Sequence, residues 1–256
     1  MLSATQVCLQ LRGRSLLRGI DLQVLPGELH VVLGANGAGK SSLLQLLAGG
    51  RTPDLGQVRI NGQLLQRLSL IDLARRRAVV TQNEAQAPQI TAWQAVNLGR
   101  HPYVGESFNS ARNAVRTAMH RTGCLPLADR MVPTLSGGER ARVRMARALA
   151  QLASPVSEPQ YLLLDEPTAS LDLAWQHRTL KLARDLCSEG LGVVAVLHDP
   201  NMAMRYADTV SLMRNGTVTD SGPSERVLSA TTLSVLYGLP LQTHHLPGGR
   251  AVLTAR

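Results

Sequence analysis

Four apolar runs each end on a short polar station. Residues 29–33 lead into a loop of Gly34, Ala35, Asn36, Gly37, Ala38, Gly39, Lys40, Ser41 and Ser42. Residues 78–81 lead into Gln82, 161–164 into Asp165 and Glu166, and 193–197 into His198. The runs show no polar–apolar alternation, so each predicts a parallel strand buried on both faces. In an open α/β sheet, ligands bind beyond the carboxyl ends of the strands. All four stations are therefore expected on one edge, around one ligand.

The rest of the pattern organises around these strands. Residues 1 to about 33 predict short strands and turns, and 41–48 predict a compact helix closed by Gly49 and Gly50. A strand is expected near 58–60 and a polar helix over 70–77. From 84 to 145 the buried-strand pattern stops, while 91–100 and 107–123 take helical spacing. This predicts a helical subdomain (84–145) inserted in an α/β core made of 1–83 and 146–256. Residues 153–160 form a Pro/Ser loop, Asn215-Gly216 predicts a hairpin turn, and short helices near 224–229 and 231–237 precede a tail.

Composition narrows the class. The 256 residues, 44% hydrophobic and 18% charged, suffice for one large globular domain with a subdomain. One phenylalanine, two tryptophans and four tyrosines leave little for an aromatic stacking surface. Cys8, Cys124 and Cys187 are odd in number and far apart, which argues for a reducing compartment and against disulfide or zinc frameworks. No stretch approaches the roughly 18 apolar residues of a membrane span, and the start lacks a signal-peptide pattern, so the cytosol is expected. The net charge of +9 suits nucleic acid or an anionic membrane face without choosing between them. Arg75 to Arg77 read as a solvated helix end, and Arg140, Arg144 and Arg147, at i, i+4 and i+7, as a solvated or salt-bridged face.

Gly34-x-x-x-x-Gly39-Lys40-Ser41 is a P-loop between a strand and a helix. Its glycines let backbone amides wrap phosphates, Lys40 adds charge at the β/γ positions, and Ser41 is a magnesium ligand candidate. Asp165 suits magnesium binding through its water shell, and Glu166 suits activation of the attacking water. Ser136-Gly137-Gly138-Glu139 is a capping box opening a helix that runs to about residue 152. Two glycines in a first turn cost helix propensity but leave bare amides, which makes a second phosphate site. One nucleotide does not readily use two such sites on one chain. A head-to-tail dimer, each P-loop closed by the partner's serine–glycine turn, is the economical reading.

Leu135 to Glu139, with the other stations in matching order and spacing, resembles the signature of ABC-type ATPases. The resemblance covers nearly the whole chain. It implies a P-loop NTPase with a RecA-like parallel-sheet core, an N-terminal antiparallel β subdomain and an inserted helical subdomain. It makes Gln82 a magnesium and water contact that also senses the membrane partner. It also places Asp172, with Ser170 and Leu171, at the dimer seam and His198 on the γ-phosphate. ATP and Mg²⁺ are the implied ligands. The family usually stacks an aromatic on adenine near the first strands, whereas this chain has Leu11-Arg12-Gly13-Arg14 there. Ser42 replaces a commoner threonine, and Pro200 follows Asp199 at a position that a capped helix accepts.

One P-loop, one signature and too few residues between them for a long coiled coil favour a transporter subunit over soluble ABC proteins acting on nucleic acid. Asn97 to Pro102, Ala148 to Leu152, Ser170 to His177 and Val194 to Asp199 are similar to importer cassettes for iron chelates, haem and cobalamin, most of all the hemin-import group. This implies a homodimer on the cytoplasmic face of the inner membrane. Two permease subunits would join it directly and a periplasmic binding protein indirectly, with no nucleic-acid partner. No direct haem contact is expected, and His244 and His245 read as solvent-exposed.

Overall fold

The computed structural model of the chain describes residues 1–81, 88–153, 158–169, 171–245 and 251–255. Two long strands open it, β1 (Leu2–Leu11) and β2 (Arg14–Val24), where short ones were expected. β3 (Leu29–Gly34) runs into helix α1 (Lys40–Leu47). β4 (Leu55–Ile60), β5 (Gln63–Leu64) and α2 (Leu70–Arg76) lead to β6 (Arg77–Val80). Helices α3 (Ala92–Asn97), α4 (Phe108–Arg121) and α5 (Gly137–Leu152) follow. The chain then alternates β7 (Tyr161–Asp165), α6 (Leu173–Ser188), β8 (Gly192–Val196), α7 (Pro200–Tyr206) and β9 (Thr209–Arg214). It ends with β10 (Thr217–Pro223), α8 (Ser224–Val227), α9 (Ala230–Tyr237) and a hairpin of β11 (Leu241–His245) and β12 (Ala251–Ala255).

The main sheet has the order β10-β9-β3-β8-β7-β6. β9, β3, β8, β7 and β6 are parallel, and β10 pairs antiparallel with β9 across Asn215-Gly216. Both turn residues have positive φ, as a two-residue hairpin requires. The order places the three buried stations side by side. β3 and β8 are buried at every position; β8 is apolar throughout, and the one polar ring in β3, His30, meets the Thr209 and Ser211 hydroxyls at 2.7 and 3.0 Å. β6 is the edge strand and its burial alternates between full and partial, yet both its faces are covered: Ala78 and Val80 join one core and Val79 packs against the other. The antiparallel sheet β2-β1-β4-β5 packs on the other side of α1, sharing a core with Leu43, Leu46 and Leu47.

The helical segment joins the core through α5, whose buried face (Val143, Ala146, Leu149, Ala150) meets α3, α4 and β6. Arg100, only 6% exposed, pins the α3–α4 connection: it bonds Glu106 twice, at 2.6 and 2.9 Å, lies 4.1 Å from the Tyr103 ring centre, and donates to the Ala150 carbonyl.

One surface reading is corrected, that of Arg75 to Arg77. Arg75 donates to the Pro102 carbonyl, Arg76 pairs with Glu158 at 2.9 Å, and half-buried Arg77 donates to the Ala48 carbonyl at 2.7 Å. The cluster therefore bolts α2 to its neighbours instead of facing solvent. Arg140, Arg144 and Arg147 are half-buried, and Arg140 donates to the Leu135 carbonyl at 2.5 Å. His244 is exposed, as expected.

Candidate functional site at the carboxyl edge of the parallel sheet

The loop after β3 leaves Ala35, Asn36 and Gly37 exposed and Ala38 buried. Gly39 precedes α1 with φ +102, and a Cβ there would lie 2.8 Å from Leu17 Cδ2. Only glycine fits that approach without strain. Lys40 is buried, its Nζ donating to the Gly34 and Ala35 carbonyls at 2.8 and 3.1 Å. Burial lowers its pKa, while the charges of Glu166 and Asp165 pull it back up. The ammonium thus sits beside two carboxyl-bearing residues, at the open start of a helix.

Ser41 Oγ lies 3.1 Å from Asp165 Oδ1, so the loop and the end of β7 meet. Burial raises the Asp165 carboxyl's pKa; the Ser41 hydrogen bond opposes this, Glu166 reinforces it, and Lys40 opposes it. Glu166, with φ +50, turns away from the strand and places Oε1 2.6 Å from His198 Nε2. Its side chain is 15% exposed and that of His198 46%, so the pair faces solvent from its histidine side. Asp199 then caps α7, accepting from Asn201 N at 2.8 Å with Pro200 in the first turn.

Sequence reasoning thus places the P-loop, Asp165, Glu166 and His198 together, and the structure brings them together. Gln82 lies outside the described residues, as does Ser170. Ser136 forms the expected capping box: its Oγ accepts from Glu139 N at 3.2 Å, and Glu139 Oε2 accepts from Ser136 N at 2.7 Å. Ser136 is exposed, and Gly137 and Gly138 follow it at the start of α5. Asp172 caps α6, accepting from Trp175 N at 2.8 Å.

Sequence reasoning missed the joint behind these residues. Two guanidinium groups lie over the Trp175 ring, Arg142 at 4.2 Å and Arg178 at 4.8 Å from its centre. Arg142 also donates to the Gly123 carbonyl at 2.8 Å. Gly123 has φ +64, and a Cβ there would lie 2.6 Å from Trp175 Cη2. A cavity of about 210 Å³ runs from this joint to Asp165 and Glu166. The one available signal was the lone tryptophan three residues past Asp172.

A parallel sheet with this loop and acidic strand end defines a P-loop nucleotide-binding protein. Residues 17–169 match the family model described as ABC transporter. The hemin import ATP-binding protein HmuV of Gloeobacter violaceus is 44% identical over 241 residues, covering 93% of this chain and 88% of that protein. HmuV of Methylobacillus flagellatus is 39% identical, covering 100% and 96%. A chain of an ABC transporter in an inward-facing conformation superposes with TM-score 0.83 at 25% identity, covering 100% of this chain and 97% of that one. A dimeric bacterial ABC transporter cassette gives 0.77 at 26%, covering 88% and 99%. The chain belongs to the ABC transporter family. Within that family it is an ATP-binding subunit, an ATPase coupled to transport.

Proposed function

We propose that this chain is the ATP-hydrolysing subunit of an inner-membrane importer of haem, working as a homodimer on two permease subunits. A periplasmic binding protein would deliver the cargo to them. The observation that carries the haem reading is 39–44% identity to hemin import ATP-binding proteins along nearly the whole chain. No helix among the described residues is long and apolar enough to cross a membrane, in keeping with a subunit peripheral to its permease.

The site residues take roles by chemistry. Backbone amides from Gly34 to Ser42 cradle the phosphates, and Lys40 neutralises charge there. Glu166 takes a proton from the attacking water while His198, at 2.6 Å, orients it and contacts the γ-phosphate. Gln82 would complete the water's surroundings and report to the permease. The partner's Ser136, Gly137, Gly138 and Glu139 turn would close the site, with Asp172 at the seam. The Ser41 hydroxyl and Asp165 carboxylate, 3.1 Å apart, are the hard oxygen donors that magnesium prefers, alongside substrate phosphates. Bound there, magnesium supplies charge neutralisation of the phosphates. The helical segment 84–145 would carry movement to the permease.

Reconstitution with the native permease tests this reading. ATP-dependent uptake of haem, abolished by Lys40→Ala, is the expected result. Uptake of a ferric siderophore or cobalamin instead would reject haem and keep the importer, and failure to join any permease would reject both.

A further inference from the structure

Away from the nucleotide edge, α6, α7, α8 and β12 enclose a second cleft of about 770 Å³. That lies inside the range of roughly 300–1,000 Å³ for small-molecule sites. Its apolar walls are Leu173, Met202, Met204, Leu228 and Val252. Leu173 is 67% exposed, and methionine side chains adapt to flat or irregular ligands. Within this lining stand one phenol and one imidazole: His177 Nδ1 and the Tyr206 hydroxyl are 2.8 Å apart. Their ring planes are inclined at 52° with centres 5.9 Å apart, so a hydrogen bond and not stacking sets their geometry.

We propose that this cleft is a regulatory site for ferric haem, with Tyr206 as the iron ligand; the ligand's identity rests on the haem-import reading. Tyrosinate is an established axial ligand of haem iron. To ligate, Tyr206 must give up its hydroxyl proton, and His177 Nδ1 stands where that proton goes. The O–H bond breaks as the oxygen–iron(III) bond forms, the imidazole becomes imidazolium, and a water leaves the iron; no electron is transferred. A base hydrogen-bonded to the ligand also fixes its orientation. Lys181 and Arg205, both exposed, supply two cations for the propionates. Of the acids in the lining, Asp199 is engaged in capping α7. Glu225 is exposed on α8, leaving the Lys181 and Arg205 side for the carboxylates.

The placement makes the site regulatory. α6 begins directly after Asp172, and α7 begins two residues after His198. An occupant wedged between these helices acts on both residues of the hydrolytic edge, so accumulated haem would slow its own import. Cargo in transit need not pass here: the expectation that this chain makes no direct haem contact is kept for transport and given up for regulation alone.

The test is titration of the full-length chain with hemin, followed by absorbance, in parallel with ATPase and transport assays of the permease complex. One equivalent per chain is expected, with a phenolate-to-iron charge-transfer band. Tyr206→Phe should lose the band and weaken binding about tenfold or more. His177→Ala should keep the band but bind more weakly. Hemin should inhibit the wild-type ATPase and spare Tyr206→Phe, whose melting and ATP affinity should match wild type. Should Tyr206→Phe not fold, Lys181→Glu on the rim is expected to weaken hemin binding with folding intact. Equal binding and spectra for wild type and Tyr206→Phe would mean surface adsorption and overturn the proposal. Hemin-insensitive dimerisation lost in Leu173→Arg would also overturn it, making the cleft an interface between copies. Titration failing while haem transport persists refutes this site alone; transport failing while titration succeeds refutes the import reading.

Discussion

Glu166→Gln isolates the hydrolytic step. The substitution keeps an oxygen where Glu166 Oε1 meets His198 Nε2 at 2.6 Å, so the positive-φ turn and the histidine's position are retained. What it removes is the ability to accept a proton. Loss of a positioned general base costs about 10²–10⁴ in rate, or about 2.7–5.4 kcal/mol at 1.36 kcal/mol per decade. Binding should be spared, because Lys40 is held by the Gly34 and Ala35 carbonyls and Ser41 by Asp165, none of them through Glu166. Phosphate release with Mg-ATP should therefore fall by that factor, while ATP affinity stays within about twofold and light scattering shows an ATP-trapped dimer. Turnover within tenfold of wild type would remove Glu166 from the base role. Equal loss of ATP affinity would show that the substitution had disturbed the P-loop instead.

Three further substitutions test separate parts of the structure. Ser136→Arg should abolish hydrolysis yet leave monomer ATP affinity unchanged by equilibrium dialysis; loss of monomer binding would mean the serine–glycine turn does not act across a dimer. Gly123→Ala should lower stability by about 1–3 kcal/mol, since the new Cβ meets Trp175 at a left-handed backbone position; denaturant melts and altered tryptophan fluorescence would register it. Arg100→Ala leaves the half-buried Glu106 with its Ser110 hydrogen bond but without the guanidinium, and should cost about 1.5–3 kcal/mol near neutral pH. The Arg100 hydrogen bonds hold the Glu106 carboxyl below its ordinary 4.5 against burial, with Ser110 helping. The pair's stabilisation is thus fully present above that ordinary value and lost as pH falls through the lower folded one. The gap between wild type and variant should therefore narrow in acid melts, and a constant gap would refute the ionic account.

Strands buried on both faces and residues that must meet phosphate were legible because their local sequence admits few alternatives. The 161–164 run had no partner but another strand, and Gly39 is the residue that its φ and the closeness of Leu17 require. Arg75 to Arg77 were illegible because their carbonyl and Glu158 partners come from distant segments: Ala48, Pro102 and Glu158 are brought together only by folding. That β6 would be the last strand of the sheet was not legible, because an apolar run covered on both faces does not say whether a further strand lies beside it. The terminal hairpin was missed because Gly and Pro in the tail hide two five-residue strands that, among the described residues, pair with each other and with no other strand.

The joint at Trp175 explains how one helix can serve both sides of the molecule. α5 begins at the Ser136 turn, and one of its residues, Arg142, reaches the Gly123 carbonyl and the Trp175 ring together. Trp175 lies in the first turn of α6, which Asp172 caps. Cation–π contacts are worth about 0.5–2 kcal/mol each, and a single charged hydrogen bond about 1.5–3 kcal/mol. Arg142's ring contact and hydrogen bond together come to about 2–5 kcal/mol, which overlaps but exceeds the roughly 1–3 kcal/mol by which coupled sites typically influence one another. The joint therefore ties the helix that opens at the Ser136 turn to the first turn of α6, which Asp172 caps, so the two exposed turns are held in one fixed relation.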